Sequence, residues 1–193
     1  MSTHRTLPLP RRATVRRLLA AACLALPLAA SAQQHAGHAH THGQARLDVA
    51  LDGGQLSLAL EVPLDSLVGF ERAPRTAQER ARVDAVLAGL RAADGLVRPN
   101  PEAGCRLAGV ELNSAALKLG PAASSAAPDD GHADLDADLR FDCTQPERLR
   151  RIDLDLFKAW PRLQRVDVQV ALPSGQLKRT LKRPDGRLSL ERP

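Results

Sequence analysis

From residue 44 onwards, apolar and polar residues alternate over several short segments, a pattern typical of strands that bury one face. The first segment runs from Leu47 to Val62 and is interrupted by Asp52-Gly53-Gly54. We therefore predict a β-hairpin with its turn at that interruption. A second segment begins at His132. Its predicted inward-facing residues are Leu135, Ala137, Leu139, Phe141 and Cys143.

One segment has helical spacing instead. Thr76 and Glu79 form the sequence signature of a capping box, and apolar residues then recur at helical spacing as far as Gly95. We predict a helix that begins after Thr76 and ends near Gly95. A short helical or irregular connection is expected at residues 64–70, and a short helix near residues 157–160.

The remaining segments predict further strands separated by turns and loops. Pro99-Asn100-Pro101 marks a loop, and residues 120–131, rich in Pro, Ala, Ser and Asp, are expected to form an exposed loop. The predicted fold class is α+β, mainly antiparallel β and sandwich-like, with one substantial α-helix and a disordered N-terminal tail. The further strands are expected at residues 105–119 (one or two strands), 149–154, 163–172, 176–183 and 187–191.

Residues 1–32 are typical of a secretory signal peptide. Arginines precede an apolar run of 13 residues from Leu18 to Ala30, and Ala30-Ser31-Ala32 supplies a cleavage site. The run is shorter than the ~20 residues that span a bilayer, which argues against a membrane span. A lipoprotein site at Cys23 and a twin-arginine route fit less well than ordinary export. We therefore expect a periplasmic protein whose first segment is removed.

Removing this segment changes the charge of the chain. Five of the 27 basic residues lie in it, so the 22 that remain match the 22 acidic residues. The basic balance of the full chain is thus a property of the signal peptide, and the mature chain lacks the excess positive charge typical of nucleic-acid-binding proteins. The few aromatic residues could not provide an array of base-stacking platforms either. We expect no nucleic-acid partner.

The rest of the chain suits one mostly-β domain over residues 44–193, preceded by a tail at residues 33–43. Two cysteines remain after cleavage, Cys105 and Cys143. Such a pair in an oxidising compartment normally forms a disulfide. A pair of metal-binding thiolates is the alternative, although the chain has no Cys-x-x-Cys motif.

The predicted tail is rich in histidine. His35, His38, His40 and His42 lie within eight residues, and the whole chain has six histidines. Neutral imidazole is a good ligand for Zn²⁺, Cu²⁺ and Ni²⁺, and several imidazoles on a flexible segment can surround one ion. The sequence therefore predicts a metal-binding tail. A polar leader that binds nothing is the alternative.

Two residues of the predicted domain are further candidate ligands. His132 lies at the edge of the predicted exposed loop, where it could be a metal ligand or a solvated polar residue. Glu71 could be an oxygen ligand or the ion-pair partner of its neighbour Arg72. Asp153 and Asp155 alternate with apolar residues and are interpreted as the solvent side of a strand. The chain contains no Gly-x-Ser-x-Gly elbow, phosphate loop, His-Glu-x-x-His motif or dinucleotide-binding fingerprint, so we do not expect an enzyme.

Several of these features occur together in one family. The run from the histidines into the hairpin, the segment Leu-Val-Gly-Phe-Glu-Arg-Ala-Pro ending at Pro74, and the strand ending in Phe-x-Cys at residues 141–143 resemble the ZrgA-type family of periplasmic zinc-uptake proteins. The resemblance covers nearly the whole chain. It implies a zinc-binding accessory protein that assists an ABC-type zinc importer or its substrate-binding protein and catalyses no reaction.

The chain departs from this family in two places. Arg72 stands where the family often has histidine, and residues 120–131 lack the insertion rich in histidine and acidic residues that members commonly carry. The resemblance therefore implies a smaller metal capacity that depends more on the tail. The competing hypotheses are a copper or nickel scavenger and an envelope structural or interaction module.

Overall fold

The computed structural model describes residues 41–120 and 133–191. Three α-helices lie in these ranges: α1 (Leu64–Val68), α2 (Ala77–Arg91) and α3 (Leu156–Ala159). The strands are β1 (Gln44–Asp52), β2 (Gln55–Pro63), β3 (Val97–Pro99), β4 (Cys105–Asn113), β5 (Asp134–Cys143), β6 (Arg151–Leu154), β7 (Arg165–Leu172), β8 (Gly175–Lys182) and β9 (Arg187–Ser189). The predicted signal peptide and most of the predicted exposed loop lie outside the described residues.

Strands form two sheets. The larger has six strands in the order β4-β5-β2-β1-β7-β8, and the smaller has three in the order β3-β6-β9. Every neighbouring pair is antiparallel except β1 and β7, which are parallel. The predicted α+β, mainly antiparallel fold class is confirmed. The parallel pair was not predicted, because alternation indicates which face of a strand is buried and not which strand lies beside it.

The alternating residues supply the core. Leu56 and Leu135 lie on neighbouring strands, β2 and β5, and both are fully buried. Helix α2 adds Val83, Leu87 and Leu90 to the same cluster. All the inward-facing residues predicted for β5 are buried, including Cys143. Burial at about 25 cal/mol per Å² of apolar area is the main force that holds the sheet and helices together.

Helix α2 begins as the sequence predicts. The Thr76 hydroxyl accepts a hydrogen bond from the Glu79 backbone N–H at 3.1 Å, and the Glu79 carboxylate accepts one from the Thr76 N–H at 3.2 Å. The capping box therefore satisfies amide groups that have no partner within the helix. The helix ends at Arg91, and a separate 3₁₀ turn over Ala93–Gly95 completes the predicted segment.

Residues 97–103 differ from the predicted loop. They contain β3 and a 3₁₀ turn at Pro101–Ala103, with Asn100 buried between the two. The Asn100 side-chain oxygen accepts hydrogen bonds from the N–H groups of Arg150 and Arg151 at 2.8 and 3.1 Å, and its amide donates to the Arg148 carbonyl at 3.0 Å. The Asn100 side chain thus supplies hydrogen-bond partners to the backbone groups of Arg148, Arg150 and Arg151. Proline on both sides suggests a loop from sequence alone.

Cys105 and Cys143 form the predicted disulfide. The two residues are direct partners in the register of β4 and β5, so the bond fastens an edge strand of the large sheet. The alternative of two metal-binding thiolates is wrong, since the sulfur atoms are bonded to each other. The described residues contain no helix long and apolar enough to cross a membrane.

Candidate metal centre

Gly43 fixes the chain where the predicted tail meets the domain. Its φ of +78° lies in the left-handed region that favours glycine, and a Cβ there would stand 3.2 Å from the Arg162 carbonyl oxygen. Its N–H donates to the Ser66 hydroxyl at 2.9 Å, and its carbonyl accepts from the Gln164 N–H at 2.7 Å. Ser66 belongs to α1 and is fully buried. Because Gly43 is anchored in this way, His42 is held beside α1.

The imidazole of His42 lies between two carboxylates. Its Nε2 is 3.2 Å from Glu71 Oε1, and its Nδ1 is 3.7 Å from Asp65 Oδ2. The His42 side chain is 60% exposed, whereas those of Asp65 and Glu71 are 18% and 16% exposed. The two carboxylates are therefore set into the surface of the domain, and the imidazole beside them is more exposed to solvent.

Asp65 is held from a second direction by Arg162. The Arg162 Nη2 donates to Asp65 Oδ1 at 3.3 Å, and its Nε donates to the Asp65 backbone carbonyl at 3.0 Å. Asp65 lies in the first turn of α1, 97 residues before Arg162. The guanidinium thus fixes the carboxylate while its other oxygen faces His42.

The Arg72 guanidinium binds Glu79, which lies outside the cluster formed by His42, Asp65 and Glu71. The guanidinium donates two hydrogen bonds to the Glu79 carboxylate, at 2.7 and 3.0 Å, and lies 5.0 Å from the centre of the Phe70 ring. The hydrogen bond from Arg72 lowers the pKa of Glu79 to about 2, and the Arg75 N–H contributes in the same direction. Arg72 thus pairs with Glu79, and the structure brings His42, which the sequence did not suggest as a partner, to the Glu71 carboxylate.

The chemistry of this cluster suits a divalent cation. Imidazole nitrogen and carboxylate oxygen are both common zinc ligands. Within residues 41–120 and 133–191 the structure has no group of three or more His, Cys, Asp or Glu side chains arranged to hold a metal ion. His42 and Glu71 could supply two of the four donors that a tetrahedral zinc site uses.

The other predicted ligands, His35, His38, His40 and His132, lie outside the described residues and stay predictions. Sequence reasoning missed Asp65 and Arg162. The only local signal for Asp65 is an acidic residue in the first turn of a short helix, which by itself is more often a response to the helix dipole.

One comparison with known proteins identifies the family. The model of the ZrgA family zinc uptake protein matches residues 39–190, which include His42, Glu71 and both cysteines of the disulfide. A search of curated proteins found no match. The matched region covers most of the chain and all the described elements from β1 to β9. The chain therefore belongs to the ZrgA family of zinc uptake proteins.

Proposed function

We propose that this protein captures Zn²⁺ in the periplasm and passes it to an ABC-type zinc importer or to the importer's substrate-binding protein. In this proposal residues 1–32 are removed on export, and the protein binds and releases the ion without catalysing a reaction. The observation that carries the proposal is the position of His42. It is the last of four clustered histidines, and it lies 3.2 Å from the carboxylate of Glu71.

The exposure of the cluster supports a role in transfer. The imidazole of His42 is 60% exposed, so an ion bound to it can be approached by ligands from another protein. Ligands of a receiving protein could then replace those of this protein without opening the fold. His38 and His40 precede His42 closely in the chain and are the proposed source of further imidazoles.

Calorimetric titration with Zn²⁺ tests the capture step. We would compare residues 33–193, residues 44–193, and a full-length mature chain in which His35, His38, His40 and His42 are all replaced by asparagine. We expect the first protein to bind zinc and the other two to lose most of that binding. Zinc binding of equal strength in all three would contradict the assignment of the histidines. Competition with Cu²⁺ and Ni²⁺ would separate zinc capture from a scavenger of either ion.

Delivery requires its own experiment. A strain that lacks this protein should grow poorly when zinc is chelated, and the gene encoding the four asparagine replacements should fail to restore growth while the parent gene restores it. Equal restoration by both genes would favour a structural or interaction role in the envelope.

A further inference from the structure

We propose that the domain contributes a fixed half-site for zinc, in which His42 Nε2 and the Glu71 carboxylate are ligands and Asp65, held by Arg162, positions the imidazole through Nδ1. This inference rests on the proposed function, because it assigns atoms to the capture step. It adds a ligand pair on the folded domain and a supporting carboxylate that the histidine pattern does not contain.

The spacing of the two proposed ligand atoms fits a shared ion. Zinc–nitrogen and zinc–oxygen bonds of about 2.0–2.2 Å at a tetrahedral angle separate two ligand atoms by roughly 3.3–3.6 Å. The distance between His42 Nε2 and Glu71 Oε1 is 3.2 Å. An ion could therefore bind both atoms with only a small movement of the exposed imidazole. Glu71 is the better-fixed partner, because its side chain is only 16% exposed.

Asp65 occupies the place of the carboxylate that commonly supports a zinc-bound histidine. Ligating histidines usually donate their other ring N–H to a carboxylate or carbonyl, which fixes the tautomer and makes the ligating nitrogen more basic. Asp65 Oδ2 is 3.7 Å from His42 Nδ1, on the opposite side of the ring from Glu71. That separation is longer than a hydrogen bond. We expect it to close to about 3 Å when zinc orients the ring.

Arg162 explains why Asp65 would support the site and not compete for the ion. One carboxylate oxygen of Asp65 accepts from the guanidinium, and the Asp65 backbone carbonyl accepts a second hydrogen bond from the same side chain. The guanidinium offsets one of the two negative charges around His42. The Glu71 carboxylate then faces the ion together with the imidazole.

The alternative is that His42 and Glu71 form an ordinary surface ion pair with no role in metal binding. Such pairs are worth little to a fold. The two hypotheses differ in what happens when only a carboxylate is altered and every histidine is kept. An ion pair predicts no change in zinc affinity, whereas the half-site predicts a loss.

The experiment is zinc titration of the mature chain, residues 33–193, with three single substitutions. Glu71→Gln and Asp65→Asn alter the proposed site. Glu111→Gln is the matched control, since Glu111 on β4 pairs with Arg140 of β5 and is 60% exposed. We expect Glu71→Gln to weaken zinc binding by at least ~10-fold and Asp65→Asn by ~10–100-fold, and the control to leave it within about twofold. Thermal unfolding of each variant would verify that the fold is kept.

A second measurement separates ligation from folding. Long-range ¹H–¹⁵N correlation spectra of the parent chain distinguish the two ring nitrogens of His42, and we expect zinc to bind Nε2 and leave the proton on Nδ1. Asp65→Asn should reduce that preference. Zinc on Nδ1 in the parent, or Glu71→Gln affinity equal to that of the parent, would overturn the half-site. In the second case, loss of binding on removing residues 33–43 would still uphold the proposed function, whereas a parent chain that binds no zinc would overturn both.

Discussion

Reducing the Cys105–Cys143 bond should destabilise the domain by about 4 kcal/mol. The two cysteines are 38 residues apart in the chain. In the chain-entropy treatment, cross-linking a loop of that length removes roughly 13 cal/mol/K from the unfolded state, which is about 4 kcal/mol at 25 °C. Since small domains are stable by only ~5–15 kcal/mol, this is a large share of the total. The effect is concentrated at β4, an edge strand of the large sheet, which pairs within that sheet with β5.

Urea unfolding with and without a reductant measures this contribution directly. Reduction of the parent chain breaks the S–S bond and adds one hydrogen to each sulfur, whereas Cys105→Ala with Cys143→Ala also removes a sulfur from the core, where Cys143 is 7% exposed. We therefore expect the double variant to be somewhat less stable than the reduced parent and to show no response to the reductant. A difference below about 1 kcal/mol between oxidised and reduced parent would refute the loop-closure reasoning.

Three further substitutions test other parts of the structure. Asn100→Ala should lower the free energy of unfolding by about 1–3 kcal/mol in a urea titration, because it leaves partly buried backbone groups near residue 150 without their side-chain partner. The hydrogen bond from Arg98 lowers the pKa of Asp155 to about 2 from an ordinary value near 3.8, so the pair stabilises the fold above pH ~4 and loses that effect as the pH falls towards 2. Asp155→Asn should accordingly remove roughly 1 kcal/mol at neutral pH and flatten the acid limb of the stability curve. Gly43→Ala should lower the melting temperature, because alanine is strained at this positive φ. It should also weaken zinc binding, because the residue adjoins His42.

Much of the fold could be predicted because its signals are local. Alternation over residues 47–62 and the turn at Asp52-Gly53-Gly54 are contained in one short segment, and the structure has that hairpin as β1 and β2. The capping box at Thr76 involves residues only three positions apart and also appears as predicted. The parallel pairing of β1 with β7 joins segments about 120 residues apart, and no periodicity within either strand indicates it.

The candidate site, like the fold, could be predicted only in part from the sequence. Clustering of histidines marks His42, but the sequence left Glu71 either as an oxygen ligand or as the ion-pair partner of its neighbour Arg72. The structure shows why the neighbour points elsewhere. Glu79 is fixed at the start of α2 by the capping box, and its carboxylate accepts two hydrogen bonds from Arg72. The capping box at the start of α2 thus fixes the carboxylate that the Arg72 guanidinium binds next to the candidate site.

Capture of zinc requires tight binding, whereas delivery requires ready release. A site with some ligands on the domain and others on the tail could do both. Donors fixed by the fold lower the entropy cost of binding, because fewer groups must be ordered around the ion. In the proposed half-site His42 and Glu71 are such donors, since Gly43 anchors the first and burial restricts the second. Donors from the tail can leave one at a time as another protein supplies replacements. Altering Glu71 should therefore speed zinc transfer to a competing chelator while the histidines still capture the ion, whereas altering the tail histidines should abolish capture itself.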